Sequence, residues 1–238
     1  MTNTTEKNDI EVNKEATMES VSIEAGCPLG ECQRDVAKIR LLVPYADDAT
    51  RILFVCTGNT CRSPLAEAIL SHLIEKDGRS TEFEVLSAGL MAQTGECVSN
   101  LAWQAASAMG LDLSWHRARQ LNQYMMEEAH IIFTMTRAHK EMLVFHYPEY
   151  AGKIWTLTEY TQAIQNGTLM KLLGKEETEI QETETFMGET GQNITEKIPA
   201  PDIQDPYGFD IQVYQQCAYQ LQEHLTIVWD FLKSARKA

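Results

Sequence analysis

The sequence predicts an α/β fold, a three-layer sandwich in which a parallel sheet lies between helices, with a ligand loop at the carboxyl end of the first strand. Two observations carry that prediction. From Arg51 onward short apolar and β-branched runs alternate with stretches of helical periodicity, the pattern of parallel strands joined by helical crossovers. The first run leads straight into Cys56-Thr57-Gly58-Asn59-Thr60-Cys61-Arg62-Ser63-Pro64, a turn-forming segment with a helix behind it. Open α/β sheets bind ligands just beyond strand carboxyl ends, where the strand order reverses.

Each element has its own signal. Residues 51–56 (Arg-Ile-Leu-Phe-Val-Cys) form a continuous apolar strand, and Leu65, Ile69 and Leu73 recur at helical spacing across 64–76. Residues 83–87 make a second strand that runs out into Ala88-Gly89, and 97–109 read as a helix stopped by Gly110. Residues 130–136 and 153–157 are the third and fourth strands. In the last helix, 211–234, Tyr214, Cys217, Leu221, Leu225, Val228 and Leu232 fall on one stripe.

Ahead of this unit, residues 1–45 are polar and acidic with few apolar groups, the composition of a disordered extension. The domain proper is expected at 50–238, interrupted near 173–199 by an insertion whose residues 175–198 hold seven glutamates against two lysines. The chain carries a net charge of −14, the wrong sign for a nucleic-acid partner. It shows no apolar run of membrane-spanning length and no signal-peptide pattern. Six irregularly spaced cysteines fit a reduced compartment better than a disulfide framework. A cytoplasmic monomer is expected. Cys27 and Cys32 could be half of a metal site, but no second Cys/His pair follows at suitable spacing, so no metal is expected.

The loop carries the chemistry. Five small or turn-forming residues between Cys56 and Arg62 let successive backbone N–H groups converge on an anion, and the helix behind adds the partial positive charge of its N-terminus. Thiols beside cations and helix N-termini ionise more readily than free thiols. Cys56 is therefore read as a nucleophile and Arg62 as a bidentate clamp for phosphoryl oxygens. Gly58 is expected to supply backbone freedom, Asn59 to brace the loop, and Ser63 to bond the sulfur or cap the helix.

Cys-Thr-Gly-Asn-Thr-Cys-Arg-Ser-Pro resembles the signature loop of the low-molecular-weight phosphotyrosine protein phosphatases, a group that includes bacterial protein-arginine phosphatases and thioredoxin-coupled arsenate reductases. The resemblance runs from about residue 50 to about residue 235, leaving out the first 45 or so residues and a stretch near 173–199. It implies a four-stranded parallel sheet in the order 2-1-3-4 and hydrolysis through a phosphocysteine on Cys56. Thr57, Gly58, Asn59, Thr60, Cys61 and Ser63 would line the phosphoryl group. No cofactor is implied.

Asp205-Pro206-Tyr207-Gly208 resembles the family's acid loop. Pro206 holds Asp205 extended, so Asp205 would protonate the leaving atom and then activate water. Tyr207 would wall the mouth, and Gly208 stands where many tyrosine phosphatases have a second aromatic. Ser87 and His116 resemble positions that support the loop. Cys61 is either a filler or a second thiol that captures an oxidised Cys56 as a disulfide.

Three activities compete. Arsenate reduction would need two further cysteines after the third strand, and residues 118–216 contain none. A decayed binding module would not keep Cys56, Arg62 and Asp205. Thr60 then weighs phosphoarginine against phosphotyrosine: the tyrosine enzymes mostly carry a bulky aliphatic residue there, whereas the arginine enzymes resemble this chain in having threonine. A hydroxyl suits a polar guanidinium. A phosphoprotein substrate is expected in either case, with phosphoarginine preferred and phosphotyrosine the alternative.

Overall fold

A computed structural model describes residues 49–172 and 200–236. Cys27, Cys32, the extension at 1–45 and the insertion at 173–199 fall outside them, whereas Cys56, Arg62 and Asp205 fall within. Four strands, β1 (Thr50–Cys56), β2 (Phe83–Gly89), β3 (Ile131–Thr134) and β4 (Ile154–Thr156), form one sheet in the order β2-β1-β3-β4. All pairings are parallel, with Cys56 in register with Gly89 and Val55 with Thr134. This is the fold class and strand order expected.

The helices are α1 (Arg62–Lys76), α2 (Asn100–Ala108), α3 (Gln123–Glu128), α4 (Arg137–His146), α5 (Leu157–Gln165), α6 (Thr168–Leu172) and α7 (Ile211–Ala235). Alternation along β1 divides the core. Ile52 and Phe54 face a large cluster built from α1, α2, α5 and α7, while Leu53 and Val55 face a smaller one under α3 and α4. Both faces of β1 are thus sealed, as a central parallel strand requires. Burying each of its large side chains contributes roughly 1.5–3 kcal/mol, so the strand that ends in Cys56 is a rigid base. The expected stripe on α7 is buried throughout. Among the described residues no helix is long and apolar enough to cross a membrane.

Boundaries moved where a side chain caps a helix. The helix expected from residue 97 begins at Asn100, because Ser99 accepts from the Ala102 N–H; Cys97 instead bridges to Arg117. The third strand stops at Thr134, since Thr136 caps α4, and the fourth stops at Thr156, which forms a capping box with Glu159. The second strand runs on to Gly89, and the first helix starts at Arg62, two residues before Pro64.

Candidate active site

Cys56 ends β1 and Arg62 begins α1, so the five residues between them close a tight loop over the helix N-terminus. The loop's carbonyls are tied outward: Cys56 O accepts from Leu90 N, Thr57 O from Met91 N and Thr60 O from Ser99 N, each at 2.9 Å. Asn59 O accepts from His116 Nε2 at 2.8 Å. Among the described residues, the N–H groups of Gly58, Asn59, Thr60 and Cys61 donate to nothing. Peptide planes whose oxygens are fixed on one side present their N–H groups on the other, which is an anion cradle. The first turn of α1 carries no acidic residue, leaving its positive end uncompensated. Arg62 is buried, and its Nε has no partner.

The left-handed residue in the loop is Asn59, at φ 56°, and not Gly58 as expected; a Cβ on Gly58 would meet only Thr60 Oγ1 at 3.5 Å. Asparagine tolerates that conformation, and here its amide is fully engaged. Asn59 Nδ2 donates to Ser63 Oγ (2.9 Å) and Ser87 Oγ (2.8 Å), while Oδ1 accepts from Arg119 N (2.8 Å). Ser87 donates to the buried Glu67, which Arg119 also pairs. Desolvation pushes the Glu67 carboxyl up, and Ser87 and Arg119 oppose that rise. The chain of donors has a direction. Because Asn59 donates to Ser63, the Ser63 hydroxyl hydrogen has two acceptors within reach, Cys56 Sγ at 3.0 Å and the Ala88 carbonyl at 3.4 Å, of which the sulfur is the nearer.

The opposite wall comes from far along the sequence. Ile203 N bonds Met135 O at 2.9 Å, and Asp202 accepts from Arg137 N at 2.7 Å, which together pin the 202–207 segment beyond the ends of β3 and α4. Asp205 is thereby brought to Arg62: its Oδ2 accepts from Arg62 NH2, and its Oδ1 from Tyr207 N at 3.2 Å. The carboxylate is half-exposed while its guanidinium partner is almost wholly buried. Tyr207 is exposed, and so is Phe209, two residues on, across a Gly208 held at φ 86°. Asp210 caps α7 through Gln212 N and Val213 N, so the neighbouring carboxylates Asp202 and Asp210 are both engaged as backbone anchors.

Cys61 turns away from this mouth. Its sulfur meets Ser99 Oγ at 3.2 Å and Tyr214 OH at 3.6 Å, and a bond to Cys56 would require it to leave both. Burial and the Cys61 contact push the Tyr214 phenol up to about 12. Burial pushes the His116 imidazole down, and its Nε2 must carry the proton it gives to Asn59 O. Among the described residues, no group of three or more His, Cys, Asp or Glu is arranged to hold a metal ion.

Every candidate from Cys56 to Ser63, with Ser87, His116, Asp205 and Tyr207, lies at or directly behind this mouth. Sequence reasoning missed Glu67, Arg119, Gly89 and His139. Only Gly89 had a local signal, as a glycine closing a strand. A Cβ there would lie 2.7 Å from Thr57 O and 3.0 Å from Asn59 N, so the loop rests on bare backbone.

Comparison with known proteins agrees with this geometry. The family profile described as low molecular weight phosphotyrosine protein phosphatase matches residues 51–170. A protein-arginine-phosphatase of Bacillus subtilis is 30% identical over 78% of this chain and 99% of its own length. A low molecular weight protein-tyrosine-phosphatase of Staphylococcus haemolyticus is 32% identical over 72% of this chain and 91% of its own. Among solved structures, the arginine phosphatase of Geobacillus stearothermophilus superposes with a TM-score of 0.58 at 29% identity, covering 78% of this chain and 94% of that one.

Proposed function

The chain belongs to the low molecular weight phosphotyrosine protein phosphatase family, and from that premise we propose that it hydrolyses phosphoarginine in proteins through a phosphocysteine on Cys56. It is a phosphoprotein phosphatase, a hydrolase. The Cys56 sulfur attacks phosphorus in line: an S–P bond forms as the bond from phosphorus to the guanidinium nitrogen breaks. The loop N–H groups and Arg62 hold the equatorial oxygens. Arg62 trades its Asp205 partner for those oxygens, and the released carboxylate, half-exposed to solvent, takes up a proton there and gives it to the departing nitrogen. Asp205 then takes a proton from the water that cleaves the S–P bond, returning phosphate and the sulfur nucleophile. Nucleophile, charge stabilisation and acid all come from side chains and backbone, so these steps require neither metal nor cofactor.

The observation that carries phosphoarginine over phosphotyrosine is Thr60. Its hydroxyl, half-buried at the fifth position of the loop, offers an acceptor to guanidinium N–H groups that a phenol lacks. The relative named protein-arginine-phosphatase supports the reading. Phosphotyrosine is favoured by one feature, the exposed Tyr207 ring beside the acid. Thr60→Ile separates them. It removes the acceptor and adds apolar surface, worth about 0.8 kcal/mol per methylene, while a guanidinium donor left unpaired costs roughly 1–3 kcal/mol. The ratio of kcat/KM for phosphoarginine over phosphotyrosine peptides should fall by about one to three orders of magnitude. An unchanged ratio would remove Thr60 as the discriminator.

A further inference from the structure

His139 takes no part in the steps above, yet it reaches the nucleophile loop. It stands in the first turn of α4, where its backbone N–H bonds the capping Thr136 Oγ1 at 3.2 Å, and its ring is buried. Nε2 lies 3.0 Å from Thr57 Oγ1, the side chain that follows the nucleophile; Nδ1 is buried with no partner. The charges around the ring are Arg62 from α1 and Asp202 and Asp205 from the acid loop. Burial and the Arg62 guanidinium push the imidazole down to about 4, so it is neutral around pH 7.

A neutral imidazole has one N–H to place. On Nδ1 it would be a buried donor without an acceptor, close to a cation. On Nε2 it leaves only a bare lone pair on Nδ1, which the nearby guanidinium favours. Orphaned buried N–H groups are the rarer of the two defects. Nε2 is therefore the donor, and Thr57 Oγ1 the acceptor. A hydroxyl that accepts keeps its own hydrogen to give. Thr57 is exposed at the mouth and its carbonyl is turned away to Met91 N.

We infer that His139 is a positioning residue: by donating to Thr57 Oγ1 it aims the Thr57 hydroxyl hydrogen into the mouth, where it is given to the phosphoryl group of the substrate. This rests on the loop being a phosphoryl cradle. The His139–Thr57 pair then acts as one unit, adding a side-chain donor to the ring of backbone donors.

The test is a double-mutant cycle with Thr57→Val, His139→Phe and the pair, read by competitive inhibition with inorganic phosphate and by turnover of p-nitrophenyl phosphate. Each single variant should weaken phosphate inhibition by about ten- to a hundredfold, the loss expected for one hydrogen bond to a charged group. The double variant should be no worse than the weaker single, because both act through one hydroxyl. Additive losses, or an unchanged inhibition constant in His139→Phe, would overturn the inference. If His139→Phe does not fold, His139→Gln should restore a donor, and the wild-type ring nitrogens still decide: proton on Nε2 and none on Nδ1 by nitrogen NMR supports it, the reverse tautomer ends it. A wild type that neither binds phosphate nor cleaves the aryl ester would instead sink the phosphatase reading itself.

Discussion

Cys56 and Asp205 divide the chemistry between them, and each has a distinct signature. Cys56→Ser should abolish turnover while leaving phosphate binding, since the cradle of N–H groups and Arg62 remains and a serine hydroxyl is not ionised near neutral pH; more than a few per cent of residual rate would remove Cys56 as the nucleophile. Asp205→Asn should slow hydrolysis by roughly 10²–10⁴-fold, with a smaller loss for substrates whose leaving group departs unprotonated. An equal loss for all substrates would make Asp205 a structural partner of Arg62. Gly89→Ala should cost about 1–3 kcal/mol of stability, by overpacking against Thr57 O and Asn59 N, measured by denaturant unfolding. Cys56, Arg62 and Asp205 are readable in sequence because spacing and a following proline mark them. Glu67, Arg119 and His139 are not, because their partners lie 20, 52 and 82 residues away and nothing local distinguishes them from surface polar residues.

At the scale of elements, strand–helix alternation foretold the sheet, and the helix-cap residues account for where it went astray. Ser99, Thr136 and Thr156 each sit inside an expected helix or strand and reset its boundary by accepting from an N–H in the first turn of a helix: Ser99 delays the start of α2, while Thr136 and Thr156 end β3 and β4 before α4 and α5. The helices α3, α4 and α5 did not announce themselves by periodicity, although the Thr136 cap of α4 fixes the backbone of His139. Asp210→Ala should therefore lower stability by about 0.5–2 kcal/mol through loss of the α7 cap. His116, His139 and His224, all substantially buried, have imidazoles pushed down by desolvation. The unfolded chain binds their protons more readily, so all three make the fold lose stability as pH falls below about 6.5, and the His139 share is lost down to about 4. Glu67, pushed up, acts in the opposite direction: its share of stability is lost as pH rises above its unfolded value. Thermal melting should drop on acidification within this window, and His139→Phe should flatten the drop. A slope that the variant leaves unchanged would mean that His139 is charged or exposed.

On the scale of the whole molecule, the four strands and the buried stripe of α7 close a core among the described residues. We propose that residues 1–45 and 173–199 are appendages to a phosphatase domain, so deletion of residues 1–44 should leave folding and aryl phosphate turnover nearly intact; an insoluble or inactive product would show that the segment belongs to the domain. The acidic balance of the chain, −14 overall, acts at this scale too, disfavouring acidic substrates and favouring a phosphorylated site in a basic setting. We propose that this cradle, this acid and Thr60 serve a phosphorylated guanidinium. The most direct test is the kcat/KM of the wild-type protein on two peptides identical except for phosphoarginine or phosphotyrosine at one position. The protein should clearly prefer phosphoarginine, and Cys56→Ser should abolish turnover of both peptides; a preference for phosphotyrosine would contradict this and return the chain to the tyrosine-specific members of its family.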